Sequence, residues 1–116
     1  LLLKHALGHL TLSEDGKIAA MWLTLEEVKQ AGAMDYHPEG IINYARMIAG
    51  VEVGLLFREV GIDQVKVGFR SRGRVDVASL AREFGGGGHR LAAGASFTGS
   101  LESVIALVLD RVKDVC

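Results

Sequence analysis

Several features that would place this chain in a special structural class are scarce or missing from its 116 residues. With one cysteine, Cys116, the chain cannot form an internal disulfide, which excludes a disulfide-stapled scaffold and favours a cytoplasmic protein. The apolar runs are all well short of about 18 residues, so we expect neither a transmembrane helix nor a membrane partner. The net charge of −1 excludes a global basic field, so any contact with nucleic acid must come from a local patch of charge.

The residues that are present describe one globular domain. Hydrophobic residues make up 49 % of the chain and charged residues 23 %, a composition typical of a folded protein with a real core. The first residues, Leu1 to Lys4, include no initiator methionine, charged n-region or cleavage site, so we expect a cut edge rather than a signal peptide. The length predicts a single domain over residues 1–116.

Turn and capping signals mark the elements of the N-terminal half. Two apolar segments, 5–13 and 17–23, flank an Asp-Gly turn and predict a β-hairpin. Thr24, with a glutamate three residues later, forms a capping box, so a short helix should follow and end near Gly32. Four apolar residues then recur at helical spacing and predict a second helix: Ile41, Ile42, Ala45 and Ile48.

The C-terminal half begins with two predicted strands, 51–59 and 64–70, joined by a turn at 61–63. Alternation divides the second strand into an apolar, odd-numbered face and a wet, even-numbered face that carries Lys66 and Arg70. The odd-numbered face should belong to the core.

Two further helices are predicted from their N-cap residues. Asp76 should begin a helix over 77–84, and Ser100 should begin one over 101–112, with a strand at 94–98 between them. The order of elements predicts a mixed α+β or α/β fold, a single domain with a central mixed sheet flanked by helices.

A run of glycines is the strongest local feature: Gly85, Gly86, Gly87 and Gly88 precede His89. Such a run costs conformational entropy on folding, so it indicates unusual backbone angles or a close approach. Its N–H groups could line a concave anion site, with His89 at the lip to donate a hydrogen bond or shuttle a proton. A mobile linker with a surface histidine is the alternative, and the lack of a following Gly-Lys-Ser/Thr excludes a Walker motif.

A compact basic patch is the second feature. Three arginines, Arg70, Arg72 and Arg74, occur within a span of five residues at a strand end of a nearly neutral chain. Arginine binds phosphate bidentately, and Ser71 adds a hydroxyl. The alternative is a strand edge protected by charge. Together with the glycine run, the patch favours an anionic, phosphate-bearing ligand.

Other candidate sites are weaker. His5 and His9 have the i, i+4 spacing of helical metal ligands, but we predict a strand there and find no cysteine or carboxylate that completes the set. The segment Asp35-Tyr36-His37 favours a turn over a metal site. The serines have no visible histidine and aspartate partners arranged as a triad.

Several segments resemble the DHH-associated C-terminal domain of DHH-family phosphoesterases. They are 66–73, 75–81 and 84–94, which contains the glycine-histidine motif, together with 39–43 and 51–59 further upstream. The resemblance covers nearly the whole chain. Within this RecJ-like superfamily the chain looks most similar to the nanoRNase type, oligoribonucleases that also act as pAp phosphatases and are sometimes described as exopolyphosphatase-related.

The resemblance implies a hydrolase whose N-terminal domain, absent from this chain, holds two Mn²⁺ ions through Asp and His ligands. No Asp-His-His or Asp-x-Asp motif occurs here, so we expect no metal site and no catalytic residue in this chain, which should be inactive alone. The resemblance places Arg70, Ser71, Arg72 and the Gly85 to His89 loop at the substrate side of the interdomain cleft, with His89 as an assisting residue. It implies short RNA or nucleotide phosphates and the N-terminal domain as partners, and it suggests a homodimer.

The leading interpretation is therefore the recognition half of a metal-dependent phosphodiesterase. The alternative is a non-catalytic nucleic-acid-binding or assembly module, as at the C-terminus of alanyl-tRNA synthetases, although the match of 39–59 favours the enzyme. A dinucleotide-binding α/β domain is disfavoured because no strand–GxGxxG–helix unit occurs. The residues leave open whether the substrate is nanoRNA, pAp, a cyclic dinucleotide or polyphosphate.

Overall fold

A single mixed β-sheet runs through the molecule. The computed structural model of the protein describes residues 2–31 and 38–116. Its elements in chain order are α1 (Leu2–Gly8), β1 (Thr11–Leu12), β2 (Ile18–Leu23), α2 (Leu25–Ala31), α3 (Pro38–Arg46), β3 (Val53–Gly61), β4 (Gln64–Ser71), α4 (Val77–Glu83), β5 (Gly87–His89), β6 (Ala92–Thr98) and α5 (Leu101–Lys113). The strands lie in the order β1-β2-β3-β4-β6-β5, with β2 and β3 parallel and the other neighbours antiparallel. The predicted fold class is confirmed.

The helices cover the two faces of the sheet unequally. Helices α4 and α5 cover one face, where Phe57, Phe69 and Val108 belong to the larger core cluster. Helices α1, α2 and α3 cover part of the other face, where Ile42 and Leu56 belong to a second cluster. We call this second side the α3 face. Its portion over β4 and β6 carries the candidate site.

The α3 face differs from the sequence prediction in one respect. We expected the even-numbered side of β4 to be wet along its length, and this is wrong for its centre. A Cβ on Gly68 would lie 3.1 Å from Ile42 Cδ1, because α3 packs closely against the strand there. The helix can approach because glycine presents no side chain, which alternation alone does not reveal.

The predicted helix caps are confirmed. The backbone N–H of Thr24 donates to Glu27 Oε1 at 2.9 Å, and the N–H of Glu27 donates to Thr24 Oγ1 at 3.2 Å, which completes the capping box. Asp76 and Ser100 each accept a hydrogen bond, at 3.1 Å, from the backbone N–H three residues later. The helices therefore begin where the polar capping residues satisfy otherwise unpaired donors.

The N-terminal segment is a helix where we predicted a strand from residue 5. The hairpin turn itself is confirmed, because Asp15 Oδ1 accepts hydrogen bonds from the Ser13 hydroxyl and the Lys17 N–H. The first strand is only Thr11–Leu12, and α1 buries Ala6 completely in the second core cluster. A short apolar run fits either element, and a tertiary contact decides between them.

Two predictions lie outside the described residues: the helix end at Gly32 and the turn Asp35-Tyr36-His37. Over the ranges 2–31 and 38–116, no helix combines the length and apolar character needed to cross a bilayer.

Candidate functional site

The α3 face brings together residues that are distant in the sequence. Side chains alternate between the faces of a strand, and directly paired residues on neighbouring strands point to the same side. His89 pairs with Ala92, and Ala92 pairs with Arg70. The histidine and the arginine therefore lie on one side of the sheet, two strands and about 10 Å apart at their backbones.

Glycines form a floor next to this row. Two residues further along the strands, Gly87, Gly94 and Gly68 are successive cross-strand partners. They present no side chains above the sheet. Ile42 of α3 occupies part of the space over Gly68, so a ligand can approach the backbone closely on the β6 side of this row.

A row of polar side chains lies beyond the glycines. Arg58 pairs with Lys66, and Lys66 pairs with Ser96. Lys66 and Ser96 are exposed, and Arg58 is half-buried. Sequence reasoning placed Lys66 on this side but missed Arg58 and Ser96. The turn at 61–63 sets the register of the hairpin and so places Arg58 opposite Lys66. Counting residues across this turn would have predicted that Arg58 belongs to the row.

Two adjoining grooves open between these rows. The inner groove, of about 210 Å³, lies between Arg58 and Arg70 and includes the buried side chains of Ile42 and Leu56 in its wall. Gly68 lines the same groove. The groove therefore has an arginine at each end and an apolar wall between them. This arrangement suits a ligand with an anionic group at each end and a less polar group in the middle.

The outer groove, of about 320 Å³, continues past Arg58. Lys66 and Ser96 line one part of it, and Gly85 and Gly86 of the glycine run line another. Its volume is near the lower end of the roughly 300–1,000 Å³ usual for small-molecule sites.

A third groove, of about 330 Å³, lies beside Cys116. Glu14 and Asp15 line it, and hydrogen bonds from Ser13 and from the Lys17 N–H hold the pKa of the Asp15 carboxyl below its usual value. Lys113 also lines this groove, but with two carboxylates its described lining is net negative, which does not favour a phosphate.

Arg70 and His89 differ in how tightly the protein holds them. Arg70 is half-buried and donates from Nη1 to the carbonyl oxygen of Phe69 at 2.9 Å. His89 is exposed near the tip of the β5–β6 hairpin. The arginine is therefore the more preorganised of the two, while the histidine can change rotamer to meet a ligand.

Ser71 points to the opposite side of β4 and is buried, with 1 % of its surface exposed. Its hydroxyl donates to Glu52 Oε2 at 3.3 Å and accepts from the Gly73 N–H at 3.0 Å. The same carboxylate oxygen accepts from the Arg74 N–H at 2.8 Å. The hydroxyl is thus engaged in holding the loop that follows Arg70, and a direct contact with substrate stays a prediction.

Arg72 lies in this loop, exposed to solvent. Its Nη1 donates to the carbonyl oxygen of Arg46 at 3.4 Å, at the end of α3. Arg90, which we had not singled out, donates from Nη2 to the carbonyl oxygen of Gly73 at 2.7 Å. The predicted basic patch is therefore divided: Arg70 lines the inner groove, Arg72 bonds the backbone at the end of α3, and Arg74 is exposed in the loop, where its N–H donates to Glu52.

In the first half of the glycine run the backbone N–H groups are already bonded, so they do not form the anion cradle that we considered. The N–H groups of Gly85 and Gly86 donate to carbonyls of α4, at 3.1 and 2.8 Å, so they are not directed at a ligand. A helix also ends here instead of beginning, and its C-terminal dipole disfavours anions. We predicted a loop, but residues 87–89 form β5 on the edge of the sheet.

The reason for glycine is steric. A Cβ on Gly86 would overlap the carbonyl oxygen of Gly94, and one on Gly88 would come within 2.7 Å of the Ala92 carbonyl oxygen. Gly85 and Gly88 also have positive φ, at 83° and 144°. The glycines let the chain leave α4 and pair with β6 within a few residues. This pairing places His89 in the same row as Arg70.

The histidines near the N-terminus do meet a carboxylate, contrary to our expectation. His5 Nδ1 and His9 Nε2 both lie 3.0 Å from Glu27 Oε2, and the His9 ring stacks on Trp22 with centroids 5.1 Å apart. We missed this cluster because we predicted a strand there. In the ranges that the structure describes, no group of three or more His, Cys, Asp or Glu residues is arranged to hold a metal ion.

Comparison with known proteins identifies the domain type. Residues 15–116 match the DHHA1 domain. The chain belongs to the DHHA1 domain family. The segments that carried the resemblance, including the glycine-histidine motif at 84–94, lie within the matched range.

Two curated relatives of this DHHA1 chain are proteins named bifunctional oligoribonuclease and PAP phosphatase NrnA. The Bacillus subtilis protein is 34 % identical over 88 residues, covering 76 % of this chain and 27 % of that protein. The Thermus thermophilus protein is 42 % identical over 76 residues, covering 65 % and 22 %. The chain thus spans about a quarter of the length of these relatives.

Solved structures share the DHHA1 fold. An exopolyphosphatase-related protein from Bacteroides fragilis is 30 % identical with a TM-score of 0.79, covering 97 % of this chain and 34 % of that chain. The pGpG-specific phosphodiesterase PggH from Vibrio cholerae has a TM-score of 0.70 at 16 % identity, covering 98 % and 38 %, which shows the fold alone.

Proposed function

We propose that this DHHA1 domain is the substrate-recognition part of a longer phosphodiesterase or phosphatase that acts on short oligonucleotides or nucleotide phosphates. The observation that carries the proposal is the row that sets Arg70 and His89 on one side of the sheet, beside a glycine floor. The names of the Bacillus and Thermus relatives support a hydrolase of this class over a non-catalytic RNA-binding module.

Each residue has a part in the proposal. The Arg70 guanidinium binds a phosphate or stacks on a terminal base, since a planar guanidinium suits both. The glycine floor admits the nucleotide to the sheet. His89 donates a hydrogen bond to the reacting phosphate or to its leaving oxygen and so assists a reaction whose main machinery lies elsewhere.

That machinery is proposed to belong to an N-terminal DHH domain outside this chain. Two Mn²⁺ ions there would activate water and offset the charge on the phosphate. The described residues of this chain do not fit a metal site, so no step of the reaction is assigned to them beyond binding and orientation. A cytoplasmic location and a homodimer complete the proposal.

The test compares three variants of the longer protein: Arg70→Ala, His89→Ala and, as a charge-matched control, Arg82→Ala. Arg82 is exposed on α4, on the other face of the sheet. Losing a charge-assisted hydrogen bond should lower kcat/KM for a trinucleotide RNA about 10- to 100-fold in the first two variants and leave the control unchanged. The chain of residues 1–116 alone should hydrolyse neither the trinucleotide nor pAp.

Unchanged kcat/KM in both site variants would refute the recognition role. RNA binding without any hydrolysis by the longer protein would instead support the module of the alanyl-tRNA synthetase type.

A further inference from the structure

We propose that Arg58, Lys66 and Ser96 form a second phosphate subsite, so that the domain prefers ligands with two or more phosphates separated by a nucleoside. This inference rests on the proposed function, because it extends the surface on which Arg70 and His89 lie. The three residues lie on neighbouring strands and are separated from Arg70 by the glycine row.

The geometry of the row suits an anion. Arg58 and Lys66 are direct cross-strand partners, so their Cβ atoms are about 5 Å apart and both cations can contact one phosphate. Ser96 pairs with Lys66 on its other side and adds a hydroxyl donor. All three line the outer groove.

The neighbouring carboxylate does not occupy this groove. Glu59 follows Arg58 in the chain, but its Oε1 accepts a hydrogen bond from the Leu25 N–H at 3.0 Å, at the start of α2. Among the described residues that line the outer groove, the charged ones are Arg58 and Lys66, both cationic, on a chain whose net charge is −1.

The inner groove gives the spacing between the two subsites. Arg70 lies four residues from Lys66 along β4, a distance of about 13 Å in an extended strand. The space between them has glycines as its floor and Ile42 and Leu56 in its wall, and none of the lining residues that the structure describes is acidic. The long side chains of Arg70 and Lys66 can both reach inward over this distance, so a sugar or base fits between one phosphate at Arg70 and the next at Lys66.

The experiment titrates the chain with AMP, pApA and pApApA at several salt concentrations. The variants are Lys66→Ala, Lys66→Arg, Arg70→Ala and, as a control, Lys113→Ala, which removes one positive charge from α5 on the other face. The wild type should bind pApApA more tightly than AMP. Lys66→Ala should lose about tenfold in affinity for pApApA and less than about twofold for AMP. Its slope of log K against log salt should fall by about 0.7, the value for one phosphate contact on a single strand.

Lys66→Arg should retain most of the preference, and Lys113→Ala should match the wild type; thermal unfolding verifies that each variant is folded. Equal losses for AMP and pApApA, or a loss no greater than in Lys113→Ala, would overturn the second subsite. If Arg70→Ala abolishes binding while Lys66→Ala leaves the length series unchanged, the subsite is wrong and the proposed function stands. If the wild-type chain binds none of the three ligands, the second subsite falls, and the kcat/KM test on the longer protein decides the proposed function separately.

Discussion

Replacing Gly86 with alanine tests why the glycine run exists. At this position an added Cβ would overlap the Gly94 carbonyl oxygen and lie 2.7 Å from the Cβ of Ala95. Both obstacles belong to β6 or its immediate side chain, so they cannot rotate away. The strand or the glycine loop must shift. Gly87→Ala is the matched control, because nothing lies within 4 Å of a Cβ there and its φ is not positive.

The expected magnitude follows from the kind of contact. Overpacking a well-packed site costs roughly 1–3 kcal/mol, and a collision with backbone belongs at the upper end, about 3 kcal/mol. For a domain of this size that corresponds to a fall in Tm of about 10–15 °C. Gly85→Ala meets no neighbour but has φ of +83°, so it should cost about 1 kcal/mol from backbone strain alone. Gly87→Ala should be neutral or slightly stabilising.

Urea unfolding and binding of pApApA measure both consequences. The order of destabilisation should be Gly86, then Gly85, then Gly87, and Gly86→Ala should also weaken ligand binding because the loop lines the outer groove. Equal stabilities for the Gly86 and Gly87 variants would refute the steric explanation. Weaker binding in Gly87→Ala without any loss of stability would show instead that the glycines contact the ligand directly.

Two further outcomes are expected. Ser71→Ala should lower the free energy of unfolding by about 1–2 kcal/mol in urea titrations, because the Gly73 N–H loses its acceptor at 3.0 Å; an unchanged stability would contradict the anchoring role. Burial acts to raise the pKa of Glu27, but hydrogen bonds from the Thr24 N–H and from His9 outweigh it, and the pKa lies below its ordinary value. A depressed pKa means that the ionised carboxylate stabilises the fold above the ordinary glutamate pKa and that this contribution disappears as the pH falls through the folded-state pKa. Glu27→Gln should therefore lower Tm at neutral pH, with the difference from wild type vanishing in acid; a difference independent of pH would contradict this reasoning.

Part of the candidate site was predictable because its signals are local. Alternation along β4 put Lys66 and Arg70 on one side, and both remain on the α3 face. The sequence singled out the glycine run correctly, but it did not reveal why glycine is needed. The reason at Gly86 is steric overlap with Gly94, which lies on a strand eight residues further along the chain. Arg58 and Ser96 carry no signal of their own and become part of the site only through cross-strand register.

The sequence by itself determined the starts of α2, α4 and α5 and the central hairpin. Thr24, Asp76 and Ser100 satisfy backbone donors within three residues, and the turn at 61–63 joins strands that pair directly, so these features depend on short-range geometry. Tertiary structure alone decided that residues 2–8 are helical, that 87–89 form an edge strand, and that His5 and His9 meet Glu27. The physical reason is that the burial of Ala6 is an interaction between distant segments, whose energy outweighs what the local pattern specifies. The β5–β6 hairpin is short, but β6 takes its place in the sheet by pairing with β4, which is distant in the sequence.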